Sequence, residues 1–288
     1  MERLNAVLPY IKHNKCALFI GAGLSKIAGC YDWDSVAKKM LDHIEIQESG
    51  IKKEELIGDM ENEKILNYCF NIFKRNGNEN TYWGIVREAL VPDVKLYPEK
   101  YFPVIKLLKL ITPFPQIITT NIDNCLENTK EFNLSEIYYK TEHFIETNLN
   151  SSGIFHIHGS EYDLEKSLLT REQYIPRYRE ASFRRFLKSL FKKYCVIFIG
   201  YGLRDREILD IMQETNDNNK YHFLLLPEED MSNLFNSSTL TVFKELNGIE
   251  SIIYGKRNTF PIVLEDWITK YFKTVKLGVE DDMRTTND

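Results

Sequence analysis

Four short strand-like runs in this chain end in unusual residues. Residues 16–20 (CALFI) run into Gly21-Ala22-Gly23-Leu24-Ser25, and residues 116–120 (QIITT) into Asn121-Ile122-Asp123. Residues 154–158 (IFHIH) end on His158 with Gly159 directly after, and residues 195–199 (CVIFI) run into Gly200-Tyr201-Gly202-Leu203-Arg204-Asp205. A continuous apolar run before a glycine-rich turn reads as a strand covered on both faces, which has no polar side to alternate with. Further strand-like runs lie at 222–226 and 250–254, with a short extended piece expected at 167–170. Helical spacing is clear at 181–193, where Phe183, Phe186, Leu187 and Leu190 share a face, and is read again at 205–214, about 235–247 and 261–273. Strands alternating with helices predict an α/β fold, a Rossmann-like, mostly parallel sheet with helices on both faces. Ligands of such sheets bind beyond the carboxyl ends of the strands, where all four signatures fall.

The stretch between the first two strands is too long for a simple crossover. It holds helical spacing at 34–47, a densely charged piece at 44–64, an apolar-periodic stretch at 65–73 and two further helices within 80–111. This predicts a helical insertion, about 44–111, inside one domain spanning 1–275. The polar tail 276–288 is expected to be disordered.

Composition excludes several classes. The net charge of −5 argues against a broad nucleic-acid surface. The five cysteines, Cys16, Cys30, Cys69, Cys125 and Cys195, include no CxxC pair, so neither a structural zinc site nor a disulfide framework is expected. The charged N-terminus has no signal-peptide stretch, and no window is apolar enough for a membrane span, so a cytoplasmic protein is expected. Walker-A spacing, HExxH and GxSxG are absent.

Each strand end carries a chemical suggestion and a structural alternative. Gly21 and Gly23 permit a tight turn and close approach of a diphosphate, with Ser25 and helix amides as donors; they also suit an ordinary strand-to-helix turn. Asn121 can hold a ribose hydroxyl or a water through its neutral amide, while Asn121 and Asp123 can equally cap the next helix. His158 can move a proton near neutral pH, whereas His156, two residues deeper on the same face, suits a supporting role. Gly200 and Gly202 allow close backbone approach, and Asp205 suits either a ribose hydroxyl or the cap of helix 205–214.

Taken together and in order, GAGLSKIAG (21–29), TTNIDNCLE (119–127), IFHIHGS (154–160) and FIGYGLRD (198–205) resemble a sirtuin-like domain. Trp33 after the glycine turn and LLTREQY (168–174) resemble the bacterial, zinc-free branch found in anti-phage defence. The resemblance implies an NAD⁺ site between the sheet and a small helical module. Carried over, Asn121 and His158 act on the nicotinamide ribose, with Asp123 in support. Gly21, Ala22, Gly23, Ser25, Trp33 and Thr120, with Gly200, Gly202 and Asp205, contact the dinucleotide. Two departures count against protein deacylation: the paired zinc cysteines are missing, and CYDWDS (30–35) replaces the family's proline-aspartate-phenylalanine-arginine stretch. The resemblance therefore implies an NAD⁺ hydrolase, with NAD as substrate and no zinc, acting as the NAD-depleting effector of an antiviral system. It also implies a homo-oligomer, sometimes joined to a hexameric HerA-type DNA-translocating ATPase. An NAD-dependent deacylase and a non-enzymatic NAD or ADP-ribose sensor are the alternatives. A nuclease subunit ranks last, since no carboxylate cluster has two-metal spacing.

Overall fold

The computed structural model describes residues 6–44, 62–111, 116–217, 221–233 and 235–270. The polar tail and the greater part of the charged piece 44–64 lie outside the described residues. Seven strands form one sheet: β1 (Cys16–Ile20), β2 (Gln116–Thr119), β3 (Glu136–Tyr138), β4 (Gly153–His156), β5 (Cys195–Ile199), β6 (His222–Pro227) and β7 (Ile249–Tyr254). The order is β3-β4-β2-β1-β5-β6-β7, and every pair is parallel. The α/β, Rossmann-like expectation holds, with the sheet wholly parallel. From β1 the chain fills one side of the sheet and then crosses to β5 on the other, so the topological switch point lies between β1 and β5.

Register brings the signatures level. Ile20 pairs with Thr119 on one side and Ile199 on the other, and Thr119 pairs with His156. The residues that follow, Gly21, Asn121, His158 and Gly200, therefore leave the same edge of the sheet.

Alternate residues of each strand feed two cores. Leu18, Ile20, Ile117, Ile154, Ile197 and Ile199 pack with Val104, Ile105 and Leu108 of helix Phe102–Ile111, and with Phe260, Leu264 and Trp267. On the opposite face, Phe19, Ile118, Phe155, Val196 and Phe198 meet Phe183, Phe186, Leu187 and Leu190 of helix Ala181–Lys193, with Ile208, Ile211 and Met212 of helix Arg206–Thr215. A third core belongs to a helical lobe. It joins helix Trp33–Asp42 to helices Asn62–Arg75 and Glu79–Leu90, and takes in Ile122 from the β2 loop. Asp32 starts the first of these helices by accepting from the Ser35 amide at 2.9 Å. Helix Phe102–Ile111, inside the predicted insertion, packs on the sheet.

Two local expectations are corrected, and one strand was not foreseen. Residues 167–170 form no strand; Leu168 only donates its amide to the His158 carbonyl at 2.7 Å. The edge strand β3 carries no sequence signal, because three residues are too few to show a period. Asp205 stands at the N-cap of helix Arg206–Thr215 but makes no capping bond; its carboxylate accepts from the Tyr201 hydroxyl instead.

Candidate active site

The turns after β1 and β5 interlock at the switch point. The Gly21 amide donates to Ile199 O at 3.0 Å, and the Gly23 amide to Gly200 O at 2.8 Å. A Cβ on Gly21 would lie 2.6 Å from Gly200 O and Tyr201 Cα, and one on Gly23 2.8 Å from Gly200 Cα. Gly200 has φ +62°, and a Cβ there would lie 2.5 Å from the Leu24 amide nitrogen. Backbone fills the space that side chains would need, so three of the four glycines are sterically required. Gly202 is different: nothing lies closer to its Cβ position than Arg204 at 3.7 Å.

Asn121 joins this turn to the β2 loop. Its amide nitrogen donates to Gly21 O at 3.1 Å and to Ser25 Oγ at 2.8 Å. Its backbone carbonyl accepts from His156 Nδ1 at 2.9 Å, and His156 Nε2 meets Glu127 Oε1 at 3.0 Å. Burial works against the charged form of His156, but the Glu127 carboxylate and the two hydrogen bonds hold its pKa above the ordinary value. The supporting role expected for His156 is thus specific: its ring fixes the backbone that carries Asn121. The amide oxygen of Asn121 is left buried without a hydrogen-bond partner. Asp123 beside it is also buried. Burial raises its pKa, against the hydrogen bonds from Ser25 and Cys125. Its Oδ1 accepts from the Cys125 amide at 3.1 Å, so part of its bonding serves the short helix Cys125–Asn128.

Between this edge and the helical lobe lies a cleft. Ala22, Ser25, Asn121 and Asp123 line one side; Tyr31, Trp33, Val36 and Leu90 line the other. The structure thus brings together Ala22, Ser25, Trp33, Asn121 and Asp123 of the predicted residues. Thr120 does not line the cleft; its amide donates to Ile20 O at 3.3 Å.

His158 also stands off the cleft. It is 2 % exposed, with Nε2 2.7 Å from Tyr178 Oη and Nδ1 3.1 Å from Tyr174 Oη. Burial, and then the neighbouring Arg177 guanidinium, lower its pKa to about 3. The imidazole is therefore neutral across physiological pH. Tyr174 and Tyr178 come from helix Arg171–Arg179, and both feel the Asp205 charge. Burial lifts Asp205 to about 6 despite the Tyr201 hydrogen bond. His158, Tyr174, Tyr178, Tyr201 and Asp205 thus make a second polar cluster on the same sheet edge. The tyrosines were missed in the sequence, although a spacing of four puts both on one helical face.

A third group was also missed. Cys30, Asp123 and Cys125 present their donor atoms within 4.8 Å of one another, all buried. The two sulfurs are 3.5 Å apart, and Cys30 Sγ lies 3.4 Å from Leu90 O.

In a wholly parallel, doubly wound sheet, ligands bind beyond the carboxyl ends of the strands at the switch point, which is where the two interlocked glycine turns and the cleft lie. The model of the SIR2-like domain family matches residues 115–252, from β2 into β7, which is consistent with a sirtuin-like domain. Members of that family are NAD-dependent enzymes. The first glycine turn lies outside the matched span and is joined to it by the contacts described above. No curated protein matches the chain. Among the described residues no helix is long and apolar enough to cross a membrane.

Proposed function

We propose that this protein cleaves the nicotinamide–ribose bond of NAD⁺, transferring the ribosyl carbon to water to give nicotinamide and ADP-ribose. The observation that carries the reading is the amide oxygen of Asn121. It is buried and unpartnered on a residue that lines the cleft, while its own NH₂ and backbone carbonyl are fixed from two sides. A buried acceptor without a partner costs about 1–3 kcal/mol, which a ribose hydroxyl or a held water would recover on binding. Ala22 and Ser25 of the neighbouring turn line the same cleft.

Nicotinamide leaves as a neutral group, so the site has little protonation to supply. Its work is to orient the ribose, stabilise positive charge on it and deliver water. Asn121 fixes the ribose and the water, and Asp123 supplies negative charge beside them. The attacking water gives its oxygen to the ribose carbon and loses one proton. The resemblance assigns that proton to His158, but here its ring stands off the cleft, held by Tyr178 and Tyr174, with a pKa of about 3. Asp123, whose carboxylate lines the cleft, takes the proton instead, and His158 acts as a positioning group on the same sheet edge.

Within this reading the protein is the NAD-depleting effector of an anti-phage system. It is held off by self-assembly or by a hexameric HerA-type ATPase; the support for this part is the resemblance to the zinc-free branch. The reading is tested by incubating purified protein with NAD⁺ and separating nicotinamide and ADP-ribose. Release without any peptide supports hydrolysis. Release only on adding an acylated peptide would point to a deacylase, and binding without turnover to a sensor.

A further inference from the structure

Two cysteines far apart in sequence meet beneath the cleft. Cys30 directly follows Gly29, whose left-handed backbone (φ +91°) ends the helical turn begun at the glycine motif, and its amide donates to Ser25 O at 3.2 Å. Cys125 opens the short helix after β2, its amide donating to Asp123 Oδ1. Both elements thus draw on the Ser25–Asp123 neighbourhood, and they set the two sulfurs 3.5 Å apart.

That separation has a chemical meaning. Sulfurs joined in a disulfide stand about 2.05 Å apart. Thiolates sharing a tetrahedral zinc, at about 2.3 Å from the ion, stand about 3.8 Å apart. The observed spacing is close to the second, and a carboxylate oxygen of Asp123 completes a trio within 4.8 Å. All three residues are buried, Cys30 at 5 %, Cys125 at 2 % and Asp123 at 7 % exposure. Two soft sulfur donors with one carboxylate select a borderline-soft divalent ion over magnesium or calcium. Asp123 also lines the cleft, so a cleft water can take the fourth position of a tetrahedral ion.

We propose that Cys30, Cys125 and Asp123 form a binding site for one zinc-class divalent cation, which ties the segment after the glycine turn to the loop carrying Asn121. This departs from the zinc-free expectation drawn from missing CxxC pairs, because its ligands lie on two separate loops. It does not rest on NAD⁺ cleavage, and its test reads metal directly.

The full chain is stripped with chelator under reducing conditions and titrated with Co(II), whose thiolate ligation gives a near-ultraviolet charge-transfer band and tetrahedral visible bands. Zn(II) is then added in competition, and bound metal is counted by elemental analysis after gel filtration. One Co(II) per chain, displaced by Zn(II), is expected. Cys30→Ser and Cys125→Ser each lose the band and bind Zn(II) more than about 100-fold more weakly, beyond the ~10–100-fold that losing an outer partner costs. Cys195→Ala, away from the trio, keeps it; circular dichroism shows which variants remain folded. Absence of the band in folded wild-type protein overturns the proposal. So does metal binding that survives both serine changes in folded variants. A Cys30–Cys125 disulfide persisting under reducing conditions, found by peptide mapping, overturns it as well.

Discussion

The amide of Gly23 donates to the carbonyl of Gly200 at 2.8 Å, so two turns that are far apart in sequence form one backbone surface at the switch point. Gly21, Gly23 and Gly200 cannot take a side chain without moving the facing turn.

Gly200→Ala should therefore be among the most damaging small changes in the protein. The residue is left-handed at φ +62°, and the added carbon would lie 2.5 Å from a backbone nitrogen. Backbone strain alone costs about 1–3 kcal/mol, and the clash adds to it. A clear drop in the denaturant midpoint is expected. Gly202→Ala, with open space around it, should change the midpoint far less; equal losses would remove the steric argument.

His158 gives the protein an acid-sensitive component of stability. Its ordinary pKa of 6.5 falls to about 3 in the folded state. As pH drops below 6.5 the unfolded chain takes up a proton that the folded protein refuses until about pH 3. The contribution is thus complete above pH 6.5 and is lost progressively down to about pH 3. Between pH 7 and pH 5 this amounts to about 2 kcal/mol. Urea unfolding of wild type and His158→Gln at both values should show the variant losing less stability on acidification. An identical pH slope would mean that His158 is not buried as described.

Asp205 has the opposite sign. Burial raises its pKa from 3.8 to about 6. The folded protein binds this proton more tightly than the unfolded chain, so the contribution is full below about pH 3.8 and is lost as pH rises through about 6. Asp205→Asn should stabilise the protein at pH 7.5 by on the order of 2 kcal/mol relative to wild type, and do little at pH 4. The ribose contact that the resemblance implies for Asp205 predicts that the same variant raises KM for NAD⁺. Thermal melts at the two pH values, with an NAD⁺ titration, check both parts.

Much of the fold was legible because β1 and β5 are unbroken apolar runs, and because helix Ala181–Lys193 places Phe183, Phe186, Leu187 and Leu190 on one face. Asn121 and Asp123 were legible from their place just past a strand. What short-range pattern could not show was partnership across the chain. Cys30 meets Cys125 through the meeting of two loops, which no spacing rule reveals. The seclusion of His158 depends on tyrosines from a helix that follows it by more than ten residues. Asp205 had the position of a helix cap, and only tertiary structure shows Tyr201 taking its carboxylate.

The most direct test of the central proposal is NAD⁺ turnover by wild type and Asn121→Ala, with nicotinamide and ADP-ribose quantified by chromatography and folding checked by circular dichroism. Peptide-independent release in wild type, lowered by about 10²–10³-fold in the variant on the scale of losing one placed hydrogen-bonding group, is the predicted result. A folded Asn121→Ala protein that cleaves NAD⁺ as fast as wild type would contradict it.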